Sequence, residues 1–252
     1  MGQKINPISL KLSINKDWQS RWFGARRYPE FLKEDLAIRG LLNRQLRNMG
    51  VDRVEIERSP DVLSIIIRTA RPGLIIGRGG TGIEDLKQVV QRMIKRKTAV
   101  RLDVQEYKSP ETSATIMAEA MAEQIEKRLP YRRVLKQTLT KILANRAVKG
   151  AKVAIAGRLD GNDIARDEHL EQGSLPLQTL RADIDYGFAQ AYTTYGVIGV
   201  KVWIFHGEVL PEGRREGLPE LGVITPPRAR RREDREGRRG RRAPGSPPEA
   251  AR

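Results

Sequence analysis

Apolar side chains recur along this chain with two different periods, and the changes of period divide it. From Phe31 through Leu36, Ile38, Leu41, Leu42 and Leu46 the spacing is that of a helix with one buried face, and Gly50 marks its stop. Val54 and Ile56 then alternate with Glu55 and Glu57, Ser59-Pro60-Asp61 forms a turn, and Val62 to Ile67 reads as a second, more buried strand of a hairpin. Arg71-Pro72-Gly73 interrupts that strand, so Leu74-Ile75-Ile76 predicts a short helix breaking into Gly77-Arg78-Gly79-Gly80-Thr81-Gly82. Thr81 and Glu84 fit a capping box, and Ile83, Leu86, Val90, Met93 and Ile94 form the buried stripe of the helix that follows. Val100, Leu102 and Val104, alternating with Arg101, Asp103 and Gln105, predict a half-buried strand with Asp103 on its solvated face.

The same two periods return further on. Ser109-Pro110-Glu111 has the residues of a helix start, with Ser109 as its cap and Met117, Met121 and Ile125 as its apolar stripe up to Pro130. A second helix runs from Tyr131 to about Val148 and buries Leu135, Leu139, Ile142 and Leu143. Strands follow at Val153 and Ile155, at Ile164, at Ile184 to Phe188 and at Ile198 to Ile204. Two helices on a four-stranded sheet make an α+β unit. The chain therefore divides into an irregular arm (1–28), a small domain (29–106), a second α+β domain (107–210) and a tail (211–252). The tail is rich in Arg, Pro and Gly, cannot bury a core and is expected to be disordered.

Charge narrows the partner. The formal net charge is +16, and residues 211–252 carry 12 basic and 7 acidic side chains, so 11 of the excess positive charges fall on residues 1–210. A folded part that basic points to a polyanion. No apolar run is long enough to span a bilayer, and the first residues hold no apolar signal-peptide core. The chain has no cysteine, which removes disulfides and thiolate metal sites and suits the cytoplasm. Its only histidines, His169 and His206, lie far apart, so no metal site is expected. Asp183 and Asp185 read as two neighbouring solvated carboxylates. With neither a nucleophile–base pair nor a phosphate-binding P-loop, no catalysis and no cofactor are expected.

The glycine loop admits two readings. Gly77, Gly79 and Gly82 satisfy the dinucleotide pattern G-x-G-x-x-G, and Asp103 lies 21 residues past Gly82, where a ribose-binding acid would stand in a nicotinamide-dependent oxidoreductase. Gly77, Arg78, Gly79 and Gly80 equally satisfy G-x-x-G, with which KH modules hold a nucleic-acid backbone. The element order decides. A hairpin and a short helix precede the loop, whereas a dinucleotide site needs a long buried strand there. The order resembles a type II KH domain, with Gly77 to Gly80 as its RNA-binding loop.

Two further regions carry basic residues in a pattern. In the arm, Lys4, Lys11, Lys16, Arg21, Arg26 and Arg27 fit phosphate contact, whereas Trp18 and Trp22 fit packing onto the next domain. From Lys127 to Leu159 there are ten basic residues and no acidic one. With Leu135 at zero, Arg132, Arg133 and Lys136 fall at about 60°, 160° and 100° on a helical wheel, a cationic ridge beside the buried stripe. Lys141, Arg146, Lys149, Arg158 and Arg166 join Lys4 and Lys11 as further candidates for RNA contact.

Long stretches of the chain resemble the bacterial S-three family of small-subunit ribosomal proteins. They are Met1-Gly2-Gln3-Lys4 with Pro7, Arg71-Pro72-Gly73 leading to Gly77 to Gly80, Gly157-Arg158-Leu159 with Gly161, Ala165 and Arg166, Thr179 to Tyr186, and Thr194 to Phe205. The resemblance implies a place in the head of the small subunit, contacts to ribosomal RNA, and proteins S-ten and S-fourteen as neighbours. It also implies that the second domain, with proteins S-four and S-five, lines the channel through which messenger RNA enters. There the family's Arg-Arg-x-x-Lys pattern, here Arg132, Arg133 and Lys136, is associated with opening structured message. The tail has no counterpart in the resemblance. A free KH-type regulator is the alternative reading.

Overall fold

In a computed structural model, residues 4–24, 27–94 and 98–209 are described. The expected tail at 211–252 and Arg26 of the arm lie outside these residues. The elements run α1 (Pro7–Leu10), β1 (Ser20–Arg21), α2 (Tyr28–Gln45), β2 (Val51–Arg58), β3 (Val62–Thr69), α3 (Pro72–Ile76), α4 (Thr81–Met93), β4 (Ala99–Glu106), α5 (Ala114–Glu126), α6 (Tyr131–Ala144), β5 (Gly150–Gly157), β6 (Arg166–Gly173), β7 (Ala182–Thr193) and β8 (Gly196–Glu208). They build two four-stranded sheets, ordered β1-β2-β3-β4 and β6-β5-β8-β7. No helix among the described residues is long and apolar enough to cross a membrane.

The first sheet buries one face under α2, α3 and α4. Ile38 and Leu42 from α2, Ile75 from α3 and Val90 from α4 close on Val54, Ile56, Leu63, Ile65, Ile67 and Val100. Each such side chain contributes about 1.5–3 kcal/mol when fully removed from water. The hairpin is antiparallel, whereas β3 and β4 lie parallel and are joined by the α3–loop–α4 crossover. The opposite face is laced by charge: Glu55 is buried beneath Arg21, Arg53 and Arg68, at 3.4, 3.2 and 3.3 Å.

The arm is more regular than its sequence suggests. Pro7 begins α1, and the Asn6 carboxamide accepts a hydrogen bond from Ile8 N–H at 2.9 Å. Farther on, β1 adds a parallel strand beside β2. Arg39 of α2 holds it by donating to Ser20 Oγ at 2.9 Å and to Gln19 Oε1 at 3.0 Å. Trp22 packs edge-on against Phe31, and its indole N–H donates to the buried carboxylate of Asp35 at 2.8 Å. The packing reading thus holds for Trp22, whereas Trp18 remains 61% exposed.

In the second sheet, α5 and α6 cover one face. Met117, Met121 and Ile125 meet Val134, Leu135, Leu139 and Ile142 over Val153, Ile155, Ile198, Val200, Val202 and Ile204. A smaller cluster of Ala182, Ile184 and Phe205 with Leu175 and Leu177 lies outside it.

Several local expectations are corrected. Thr81 does not cap α4; Gly80, with φ +86°, stands before the helix, and the Thr81 hydroxyl donates to Arg78 O at 3.1 Å. Ser109 precedes a single 3₁₀ turn, and α5 starts only at Ala114, with Ser113 as its cap. Helix α6 ends at Ala144, because the Asn145 side chain turns back to accept from Ala147 N–H at 3.0 Å. Ile164 lies in a loop, 79% exposed, and the strand is β6 instead. Asp183 and Asp185 are not solvated neighbours. Asp183 is buried and pairs with Lys16 at 2.7 Å, while Asp185 accepts the Ala114 N–H at 2.8 Å.

That last bond belongs to the junction of the two sheets. The Ser113 hydroxyl donates to Asp52 of β2 at 2.5 Å, so carboxylates from both sheets converge on the start of α5. Burial raises the Asp52 carboxyl above its ordinary range, opposed by the Ser113 hydrogen bond. A Cβ on Gly187 of β7 would stand 2.1 Å from Ala114 O, so only glycine lets the helix start lie on the strand. At the other end of α5, Glu126 pairs with Arg47 at 2.6 Å and accepts Tyr192 N–H at 2.9 Å.

Between these ends, burial lifts the Glu119 carboxyl to about 7, with the Arg47 cation opposing, and Glu119 Oε2 has no hydrogen-bond partner among the described residues. The folded state therefore holds this proton more tightly than the unfolded chain. Glu119 favours the fold most below its ordinary carboxyl range, and that contribution is lost as pH rises towards about 7. Glu119→Gln should raise the melting temperature at pH 8 and leave it nearly unchanged at pH 4.5; an equal shift at both values would contradict this assignment.

Candidate nucleic-acid interface

The glycine loop is held by its neighbours and open on its outer side. Gly77, at the end of α3, has φ +72°, and Gly79 and Gly80 have φ +64° and +86°. A Cβ at Gly79 or Gly80 would meet nothing within 4 Å, so these two positions leave the backbone free to be approached. Gly82 differs, because its Cβ would lie 2.5 Å from Ile75 O. It allows α3 and α4 to cross closely and is not a ligand-facing glycine. Arg78 is exposed between them, beside Leu74 and Ile76, which project partly into solvent from α3.

The same geometry excludes the dinucleotide reading. The loop follows a five-residue helix, and Asp103 sits on the edge strand β4 paired with Arg101 at 3.2 Å. Among the described residues, no phosphate-cradling strand–loop–helix and no ribose acid are brought together at this loop.

The second candidate is α6. Tyr131, Val134, Leu135, Thr138, Leu139 and Ile142 face inward, leaving Arg132, Arg133, Lys136 and Lys141 exposed on the outer side. Arg133 and Lys136 have no acidic partner among the described residues. Arg132, whose side chain is 70% exposed, has one acidic contact, Glu168 Oε1 at 3.5 Å, an oxygen that also accepts the Tyr131 hydroxyl at 2.9 Å, and it lies 5.7 Å from the Tyr131 ring centroid. The arginines occupy the first turn of α6, where backbone N–H groups already present positive charge and no acidic residue offsets it. Cations there oppose the helix dipole. That local conflict is one that helix stability does not account for.

The acid-free stretch borrows acids from elsewhere. Lys127 pairs with Glu123 at 2.6 Å, Lys152 with Glu171 at 2.8 Å and Arg158 with Asp163 at 3.0 Å. Arg158 also donates to Asn162 O and Tyr195 O, at 2.9 and 3.4 Å, so it is tied into its own loop. Lys11 is a firm correction. It is fully buried, with its ammonium donating to Ala182 O at 2.8 Å, and burial pushes its pKa below the ordinary lysine value. In the arm, Lys16 and Arg21 are engaged with Asp183, Asp17, Glu55 and Glu57. Lys4, Arg146, Lys149 and Arg166 remain exposed. Of these, Lys4 lies near Glu171, and Lys149 packs its stem against Gly207.

Sequence reasoning missed the buried acids Asp35, Glu55 and Asp183, and the half-buried Asp52, that determine which basic residues remain available. Their signal was the surplus of arginines opposite them, which pattern alone cannot assign to partners.

The KH domain family matches residues 37–112, and the family described as Ribosomal protein S3, C-terminal domain, matches residues 121–204. The chain is 48% identical to the small ribosomal subunit protein uS3 of Desulforamulus reducens, over 88% of this chain and 100% of that protein. It is 49% identical to the uS3 protein of Koribacter versatilis over 85% and 95%, and 45% identical to that of Thermosynechococcus vestitus over 91% and 96%.

The glycines of the loop should separate in their effects. Gly82→Ala forces backbone apart and should cost about 1–3 kcal/mol in urea denaturation. Gly79→Asp has open space and a side chain that tolerates left-handed backbone, so it should cost about 1 kcal/mol or less while weakening RNA binding. Equal destabilisation by the two would contradict the assignment.

Proposed function

The chain belongs to the family of the small ribosomal subunit protein uS3, and from that premise we propose how its two basic surfaces divide their work. As a member of that family it is a small-subunit ribosomal protein, an RNA-binding structural constituent rather than an enzyme. Beyond this, the loop at Gly77 to Gly80 holds ribosomal RNA by its backbone, with Arg78 contributing charge. The outer side of α6 faces the channel by which messenger RNA enters. There Arg132, Arg133 and Lys136 grip phosphates of the incoming single strand.

The observation that carries the second assignment is the row of exposed cations on α6, of which only Arg132 meets an acid, with both arginines at a helix end that disfavours them. Fixed positive charge binds the strand through counterion release, which needs no base sequence. A ridge on one helix face fits a single strand in extended form and favours unpaired over paired message. Translocation by the ribosome supplies the driving force, and this chain supplies an electrostatic guide that hydrolyses nothing.

Lys141, Arg146, Lys149 and Arg166 extend the same charge towards RNA. Proteins S-ten and S-fourteen are the proposed neighbours in the head, and S-four and S-five complete the channel. A free KH-type regulator shares only the first unit, whereas the similarity to relatives spans both; this favours the ribosomal reading.

Replacing Arg132, Arg133 and Lys136 together by alanine in reconstituted subunits should slow translation of hairpin-containing messages and leave unstructured messages nearly unaffected. Equal slowing of both would contradict the proposal.

A further inference from the structure

The turn between β7 and β8 places an aromatic side chain at the same end of the second sheet as the cationic ridge. The connection can be followed residue by residue. Arg132 and Tyr131 of α6 meet Glu168 of β6. Two residues earlier in β6, Arg166 pairs in register with Gly157, where β5 ends and its loop begins. Arg158, next in that loop, reaches Tyr195. Since β6 and β8 are separated by one strand, they lie about 9.5 Å apart. Glu168 is level with Val200 across β5, so Tyr195 lies at the same end of the sheet as the first turn of α6, two strands across and five residues farther along, roughly 15–20 Å away and within the span of a few nucleotides.

Tyr195 is also held in place. Gly161, at φ +78°, lies against its ring so closely that a Cβ would stand 2.9 Å away. The Arg158 guanidinium sits 5.8 Å from the ring centroid and is itself fixed by Asn162 O and Asp163. The Thr193 hydroxyl donates to Gly196 O at 2.7 Å and closes the turn. Even so, Tyr195 remains 56% exposed. The neighbouring Tyr192 differs, with its ring under Arg47 and its hydroxyl donating to Gln190.

We propose that Tyr195 stacks on an unpaired base of the strand whose phosphates lie on Arg132 and Arg133. This rests on the reading of the ridge given above. Charge sets the orientation. The loop beside Tyr195 carries exposed Asp160, while Asp163 and Arg158 offset each other at 3.0 Å, so this loop offers phosphates no net attraction. The strand's backbone therefore runs on the α6 side, and its bases turn towards the tyrosine. An aromatic ring accepts every base, so the contact adds grip without reading sequence.

The test uses the full chain carrying Gly79→Asp and Gly80→Asp, which closes the other candidate site to phosphate. It is titrated with a short oligouridylate and with an abasic oligomer of equal length and charge. Tyr195→Ala should weaken oligouridylate binding on the order of tenfold, leave the abasic oligomer unchanged and keep the salt dependence. Tyr195→Phe should bind as the unsubstituted tyrosine does. Alanine at Arg132, Arg133 and Lys136 should weaken both oligomers and flatten the salt dependence, and its failure to do so would overturn the ridge itself. If that variant behaves as expected while Tyr195→Ala changes nothing, or weakens both oligomers alike, stacking is overturned and the ridge stands. Loss of co-sedimentation with small subunits without loss of oligouridylate binding would make Tyr195 a protein contact and would equally overturn stacking.

Discussion

The start of α5 is where the two halves of this molecule are fastened, and most of the remaining geometry follows from it. Asp52 comes from the first sheet and Asp185 from the second, and both reach the same helix N-terminus. An acid in that position gains from the unpaired N–H groups and the dipole, up to about 2 kcal/mol where the geometry is partly buried. The bare backbone of Gly187 lets the helix lie directly on β7. A second fastening comes from the arm, which places Lys11 and Lys16 on the start of β7 and then adds β1 to the first sheet. With the Arg47–Glu126 pair at the far end of α5, the glycine loop and the α6 ridge belong to one framework, tied at three separate places.

The electrostatics follow from the same construction. A net charge of +16 identifies a polyanionic partner but does not say which cations meet it. The fold sorts them. Arg21, Arg53 and Arg68 neutralise one buried glutamate, Arg58 is held by Glu34 and Asp35, and Lys11 is enclosed. Among the described residues, Arg78 in the loop and Arg133, Lys136 and Lys141 on the outer side of α6 stay exposed without an acidic partner, as do Lys33, Arg44, Lys87, Arg92 and Lys108 elsewhere. Surface ion pairs contribute little to stability, so leaving these cations unpaired costs the fold little.

Much of this was legible before any coordinates. Periodicity located α2, the hairpin, α3, α4, α6 and the last two strands, because each buries one face against a sheet and its apolar positions record that burial. The loop's openness was legible in Gly79 and Gly80, although Gly82 matched a ligand pattern for a packing reason. Local caps were less legible. Thr81 and Ser109 have the residue types of caps but lost that place to Gly80 and Ser113, whose positions are set by helix crossing and by Asp52. Lys11 was illegible, since a buried ammonium is recognisable only once Ala182 O and Asp183 stand beside it. The acid-free run from Lys127 to Leu159 likewise made the exposed cations of α6 legible but not the contact of Arg132 with Glu168, which comes from β6.

The central claim is that the outer side of α6 meets the phosphates of incoming message, and it is tested most directly by a structure of an assembled small subunit holding a messenger RNA. The account predicts message phosphate oxygens within about 4 Å of the Arg133 guanidinium and the Lys136 ammonium, the range of a direct ion pair. Finding both groups against ribosomal protein or ribosomal RNA, with the message out of their reach, would contradict it.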